Sequence, residues 1–116
     1  MTLISCDLVN ELLNFRHVRD WEQFHTPRNL AAALTIEAAE LLECFQWATD
    51  AEIPELTALR RAKIEDELAD VAILMAYLCV DIGVDLDAAV RRKLLKNEAK
   101  YPVHLSKGNA KKYDEL

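Results

Sequence analysis

Apolar residues recur at three- and four-residue spacing over most of the chain, and the pattern divides it into four predicted helices. Ser5 is placed to cap the first, which runs to about Asp20 with Leu8, Leu12, Leu13 and Phe15 among its apolar positions. The segment Trp21 to His25 interrupts it. Thr26-Pro27 then starts the second, with Thr as N-cap and Pro at the first helical position, and this helix is predicted to reach Thr49. Asp50 to Pro54 reads as a loop. The third helix is firm from about Leu59 to Ile82, where Gly83 suits a left-handed cap. Asp85 caps the fourth, which runs to about Lys100 and is stopped by Pro102. Residues 1–104 are read as one all-α domain, and the polar, basic stretch 105–116 as a tail or a flap over a ligand.

Composition agrees with helices: 52% of the residues are hydrophobic and only 2 Gly and 3 Pro interrupt them. The 116 residues make one domain. So much apolar surface on so short a helical chain predicts that part of it lies between subunits. The net charge of −6 disfavours a nucleic-acid polymer as partner, although a polyphosphate remains accessible if metal ions carry the positive charge. Cys6, Cys44 and Cys79 are scattered and lack zinc-ligand spacing. Reduced thiols, an N-terminus without a basic leader, and no apolar run of about 18 residues predict a cytoplasmic protein that does not enter membranes.

Four acidic residues break the pattern. At about 100° per residue, Leu30, Leu34, Leu41 and Cys44 all fall within about 60° of Glu37, which puts this carboxylate in the middle of an apolar stripe. Glu40 lies about 60° to one side, and Glu43, about twice as far round, falls to the rim. The third helix repeats the arrangement. Asp70 precedes ten uncharged residues and shares a face with Leu74 and Tyr77, while Glu67 sits one turn earlier. Ionised carboxylates in an apolar setting cost several kcal/mol each, of order, unless paired or metal-bound. No Lys or Arg occurs between Arg28 and Arg60, and Lys63 is the one cation placed near the carboxylate face. A divalent cation is the economical counter-charge, and all-oxygen ligation favours Mg²⁺ or Mn²⁺ over Zn²⁺. Neither Glu40 nor Glu67 has a His three residues later, which counts against a di-iron site.

Glu37-Ala-Ala-Glu40 followed by Glu67-Leu-Ala-Asp70 resembles the ExxE…ExxD signature of MazG-like all-α nucleoside triphosphate pyrophosphohydrolases. Within them the chain looks closest to the dCTP pyrophosphatase branch. The likeness rests also on the run from Arg19 through Asp-Trp21-Glu-Gln-Phe-His25 to Leu30, on Phe45-Gln-Trp47, and on Tyr101-Pro-Val-His-Leu105 with Lys112-Tyr113. It implies a four-helix subunit in a homotetramer, a dimer of dimers. It also implies Mg²⁺, replaceable by Mn²⁺, held by Glu37, Glu40, Glu67 and Asp70 as metal ligands and catalytic residues. Trp21 and Trp47 would form the base and sugar pocket, and Lys93 and Asn97 would be polar substrate contacts. Two pocket positions depart from the branch, with Leu12 where it has a His and Leu74 where it has a Tyr. Tyr77 shares that face but stands about 4.5 Å further along the axis.

The implied reaction is attack of water on the α-phosphorus of a (deoxy)nucleoside triphosphate such as dCTP or a modified dCTP, expelling pyrophosphate and cleansing the nucleotide pool. Glu37 and Glu40 lead as proton acceptors. His25 and His104 are as compatible with surface or capping roles as with substrate contact, and His17 is read as solvent-facing. Two alternatives stand beside this reading. One is a non-enzymatic helical interaction module, and the other a related hydrolase of another phosphorylated nucleotide metabolite.

Overall fold

The computed structural model describes residues 3–116, so the first two residues of the expected domain lie outside it. All regular structure among the described residues is helical. The α-helices are α1 (Cys6–His17), α2 (Pro27–Glu43), α3 (Ile53–Leu59), α4 (Arg61–Ile82), α5 (Leu86–Lys100) and α6 (Val103–Ser106). The four helices expected from the pattern are α1, α2, α4 and α5. No helix of the described residues is long and apolar enough to cross a membrane.

The predicted caps are in place. The Ser5 side chain accepts from the Leu8 N–H, that of Thr26 from Asn29, and that of Asp85 from Ala88. Gly83 closes α4 at φ 72°, a conformation that costs an L side chain strain and glycine little. Between α1 and α2 the chain makes a short 3-10 turn, Glu22–Phe24.

Two boundaries differ from expectation. α2 ends at Glu43 rather than Thr49, and the chain then turns through Phe45–Trp47, where Trp47 takes a left-handed φ of 70°. The Arg60 guanidinium donates to the Cys44 carbonyl at 2.8 Å, so that carbonyl is satisfied without a further helical turn. The expected loop at Asp50–Pro54 is a capping box, with Thr49 and Glu52 bonded to each other, leading into α3. Arg60 separates α3 from α4 at φ −103° and ψ 19°, which breaks the helix expected to be continuous from Leu59. His104 lies exposed on the short α6.

The described residues form two compact units. One comprises Ile4–Gly83, and the other Leu3 with Val84–Leu116. In the larger unit α2 packs chiefly against α4, with α1 and α3 also on α4. Leu30, Cys44, Ile64 and Tyr77 are its buried core, with Arg16 and Glu67 buried beside them. Many large apolar side chains stay exposed, among them Ile36 and Leu42 on α2 and Leu68, Val80 and Ile82 on α4. The smaller unit holds α5, α6 and a last 3-10 turn, Tyr113–Glu115, whose Tyr113 ring meets Tyr101 edge-on and lies under the Lys100 ammonium.

Candidate functional site

The packing of α2 on α4 turns the two stripes that carry acidic residues toward each other. Glu37 on α2 and Glu67 and Asp70 on α4 each offer a carboxylate oxygen, and the three oxygens lie within 4.8 Å of one another. Glu67 is buried, Glu37 half-buried and Asp70 exposed. Glu40 is outside that converging set, but its carboxyl group is within proton-sharing reach of both Glu37 and Glu67.

The electrostatics are those of a cluster short of positive charge. Proton sharing with Glu40 chiefly, then burial and the Glu67 and Asp70 carboxylates, push the Glu37 carboxyl from 4.5 up to about 7. Burial is the main cause raising Glu67 and Glu40 adds to it, while a hydrogen bond with Glu37 and, more weakly, the Lys63 charge oppose it. Lys63, the one cation placed here by the sequence, stands 3.9 Å from Glu67 and is itself largely exposed. Glu37 Oε2 and Glu67 Oε2 are buried oxygens without a hydrogen-bond donor. Such orphaned acceptors ask for a ligand of positive charge. An all-oxygen set with two unsatisfied buried oxygens fits a hard divalent cation.

A cavity of about 350 Å³ opens beside the cluster, with Glu37 and Asp70 in its wall. The rest of the lining is Leu12, Phe15, Trp21, His25, Ile73, Leu74 and Tyr77. Trp21 meets Phe15 edge-on with ring centroids 5.7 Å apart, and the Arg19 guanidinium stacks over Phe15 at 3.7 Å. An apolar, aromatic-walled cavity bordered by carboxylates can hold a flat organic ring next to a metal-chelated anion.

Of the residues singled out by sequence, Glu37, Glu67, Asp70 and Trp21 come together here, with Glu40 adjoining them. Leu12 and Leu74, where the branch carries polar groups, both line the cavity. The Tyr77 hydroxyl donates to the Leu12 carbonyl at 2.7 Å, and burial raises its pKa. Trp47 follows α2 and is 92% exposed, apart from this cavity. Lys93 and Asn97 lie one turn apart on α5, in the smaller unit.

Two residues were missed. Arg16 on α1 is buried and makes a two-pronged ion pair with Asp81 near the end of α4, 2.9 Å on one arm. The Arg16 bond holds the Asp81 carboxyl below the ordinary range. His25, which the sequence left open between a surface or capping role and a substrate contact, is half-buried beside them. One signal was available: Arg16 follows Leu12 by four residues on the face that carries the first helix inward, a charge in an apolar stripe like Glu37.

Comparison with known proteins matches the chain to a family. The chain is 50% identical over 105 residues to dCTP pyrophosphatase 1 of Rattus norvegicus, a match covering 88% of this chain and 61% of that protein. The Homo sapiens protein of the same name is 47% identical over 104 residues, with 88% and 61% covered. The chain thus spans about three-fifths of the length of these curated relatives. Among solved structures, a pyrophosphatase from Archaeoglobus fulgidus superposes with a TM-score of 0.81 at 44% identity, covering 83% of this chain and 90% of that one. The model of the MazG-like family matches residues 32–116, which include all four acidic positions, and the chain belongs to that family.

Proposed function

We propose that the protein is a Mg²⁺-dependent nucleoside triphosphate pyrophosphohydrolase, acting on dCTP or a modified dCTP and releasing pyrophosphate. The carrying observation is the convergence of Glu37, Glu67 and Asp70 within 4.8 Å at the wall of an aromatic cavity, with two buried oxygens lacking donors. The relatives named dCTP pyrophosphatase 1 support the choice of substrate.

Glu37, Glu40, Glu67 and Asp70 would hold the cation, replaceable by Mn²⁺. When bound there, it would neutralise phosphate charge and make water a better nucleophile at the α-phosphorus. The protein's own residues do the rest. The cavity takes the base, with Trp21 offering an aromatic face for it. Glu37 and Glu40 are the proposed acceptors of the attacking water's proton. Trp47, Lys93 and Asn97 are proposed as further substrate contacts on the strength of the family likeness. Leu12 and Leu74 add apolar surface and no hydrogen bond, so selectivity among pyrimidines should be modest, roughly 10- to 200-fold.

The purified protein with Mg²⁺ and dCTP should yield dCMP and pyrophosphate in equal amounts, with no turnover in excess chelator. Orthophosphate as first product would sink the attack on the α-phosphorus, and full activity in chelator would remove the metal.

A homotetramer belongs to the same proposal. Ile36, Leu42, Leu68, Val80 and Ile82 leave apolar side chains on α2 and α4 uncovered, and apolar helix surface in an oligomer is covered by a second subunit. Light scattering should give four times the 13.2 kDa of one chain. A monomer at micromolar concentration would contradict it. A cytoplasmic setting fits the three cysteines, all free thiols.

A further inference from the structure

We propose that Lys63 is a substrate-binding residue for the two terminal phosphates, the part of the substrate that leaves as pyrophosphate. This rests on the pyrophosphohydrolase reading and adds where the leaving group is held.

The layout of α4 sets the direction in which a substrate lies. At about 100° and 1.5 Å per residue, Lys63, Glu67, Asp70, Leu74 and Tyr77 share roughly 80° of the helix circumference and follow one another along it. Ile73, Leu74 and Tyr77 line the aromatic cavity, which therefore extends to the C-terminal side of the carboxylates. Lys63 is on the N-terminal side, about 6 Å along the axis before Glu67. A nucleotide with its base beside Leu74 and Tyr77 and its α-phosphorus at the carboxylates has its β- and γ-phosphates beyond them, toward Lys63. Those two phosphates carry most of the substrate's negative charge, and they arrive at a cluster that is itself anionic.

Lys63 is free to receive them. Its ammonium is 3.9 Å from Glu67 Oε1, an ion pair too long for a hydrogen bond, and its side chain is 58% exposed. The two arginines ahead of it are taken. Arg60 donates to the Cys44 carbonyl at 2.8 Å, and Arg61 Nε donates to Glu65 Oε1 at 2.8 Å. Lys63 and Glu67 also stand in the less favourable order for an i, i+4 helical pair, with the cation N-terminal, and an exposed pair contributes little to stability in any case. Holding α4 together therefore does not account for the contact. A long, flexible stem carrying three N–H donors beside the carboxylate face suits a phosphate that binds and then departs.

The test uses the full chain and the two halves of the substrate. Pyrophosphate carries the terminal phosphates alone, and dCMP the base, sugar and α-phosphate alone. Lys63→Met keeps the apolar stem and removes the charge. By calorimetry in saturating Mg²⁺, it should bind pyrophosphate about tenfold more weakly than wild type, and dCMP as well as wild type does. Lys63→Arg should restore most of the pyrophosphate binding. kcat/KM for dCTP should fall in parallel, by about tenfold in Lys63→Met. Without nucleotide, Lys63→Met should hold Mg²⁺ roughly two- to fivefold more tightly, because a competing cation has gone from Glu67. Weaker Mg²⁺ binding would overturn the proposal, since Lys63 would then be supporting the carboxylates rather than waiting for phosphate. Unchanged pyrophosphate binding in Lys63→Met, or equal losses for pyrophosphate and dCMP, would overturn it too and leave the hydrolase reading intact. No release of pyrophosphate from any triphosphate by wild type would overturn both.

Discussion

Asp70→Asn should lower kcat/KM for dCTP by on the order of 10³-fold, while the metal-free protein keeps its stability or gains some. The loss follows from chemistry concentrated in one place. Asp70 is one of three carboxylates whose oxygens converge, and a divalent cation held there supplies several kcal/mol of charge stabilisation, of order, to a phosphoryl transition state. The amide keeps the shape and removes the charge. The stability half follows from the cluster's own repulsion, since without a cation Asp70 is one of the negative charges that raise Glu37. Urea denaturation in chelator reads that half, and the rise in melting temperature on adding Mg²⁺, which should shrink in the variant, separates lost metal from lost fold. Wild-type turnover in Asp70→Asn would return this carboxylate to an ordinary exposed one. Glu67→Gln provides the comparison at the buried member, where loss of activity should be as large.

The acidic positions were legible because helical periodicity is a strong signal and a carboxylate in an apolar stripe violates it. The same periodicity, with Ser5, Thr26, Gly83 and Asp85 as punctuation, placed the helix starts and stops that local chemistry decides. It failed where distant residues decide. Nothing near Cys44 announces that Arg60 will take its carbonyl, so α2 was drawn six residues too long. The break at Arg60 was hidden for the same reason, because Leu56 to Ile64 reads as continuous helix in isolation. The sequence also grouped Glu40 with its three neighbours on equal terms. Periodicity gives angles round one axis, and only the packing of α2 on α4 sorts out which oxygens converge. The Arg16–Asp81 pair, 65 residues apart in the chain, lay beyond any local rule.

Mg²⁺ affinity should weaken by at least about tenfold for each pH unit below about 7, and binding near pH 6 should release about one proton from Glu37, with any further release coming from Glu67, which is raised as well. The direction follows from Glu37. Its carboxyl titrates at about 7 in the folded, metal-free protein against an ordinary 4.5. Between those values the folded chain holds a proton that the unfolded chain has lost. That proton's contribution to stability is complete below 4.5 and disappears as pH rises through about 7. A cation must displace the same proton, so acid weakens binding, whereas above pH 7 binding proceeds with the carboxylate already bare and restores the stability lost by ionisation. Asp81 does not blur this window. Its carboxyl is held below the ordinary range, chiefly by its bond to Arg16, so its contribution is present above its unfolded value and is lost only in stronger acid. Calorimetric Mg²⁺ titrations at about pH 6 and about pH 8, each in two buffers of different ionisation enthalpy, read proton release and affinity together. Heats that depend on the buffer at the lower pH and barely at the higher are the expected result. Buffer-independent heats with a flat affinity would mean that Glu37 is already ionised at pH 6, and that some positive charge other than the cation compensates the cluster.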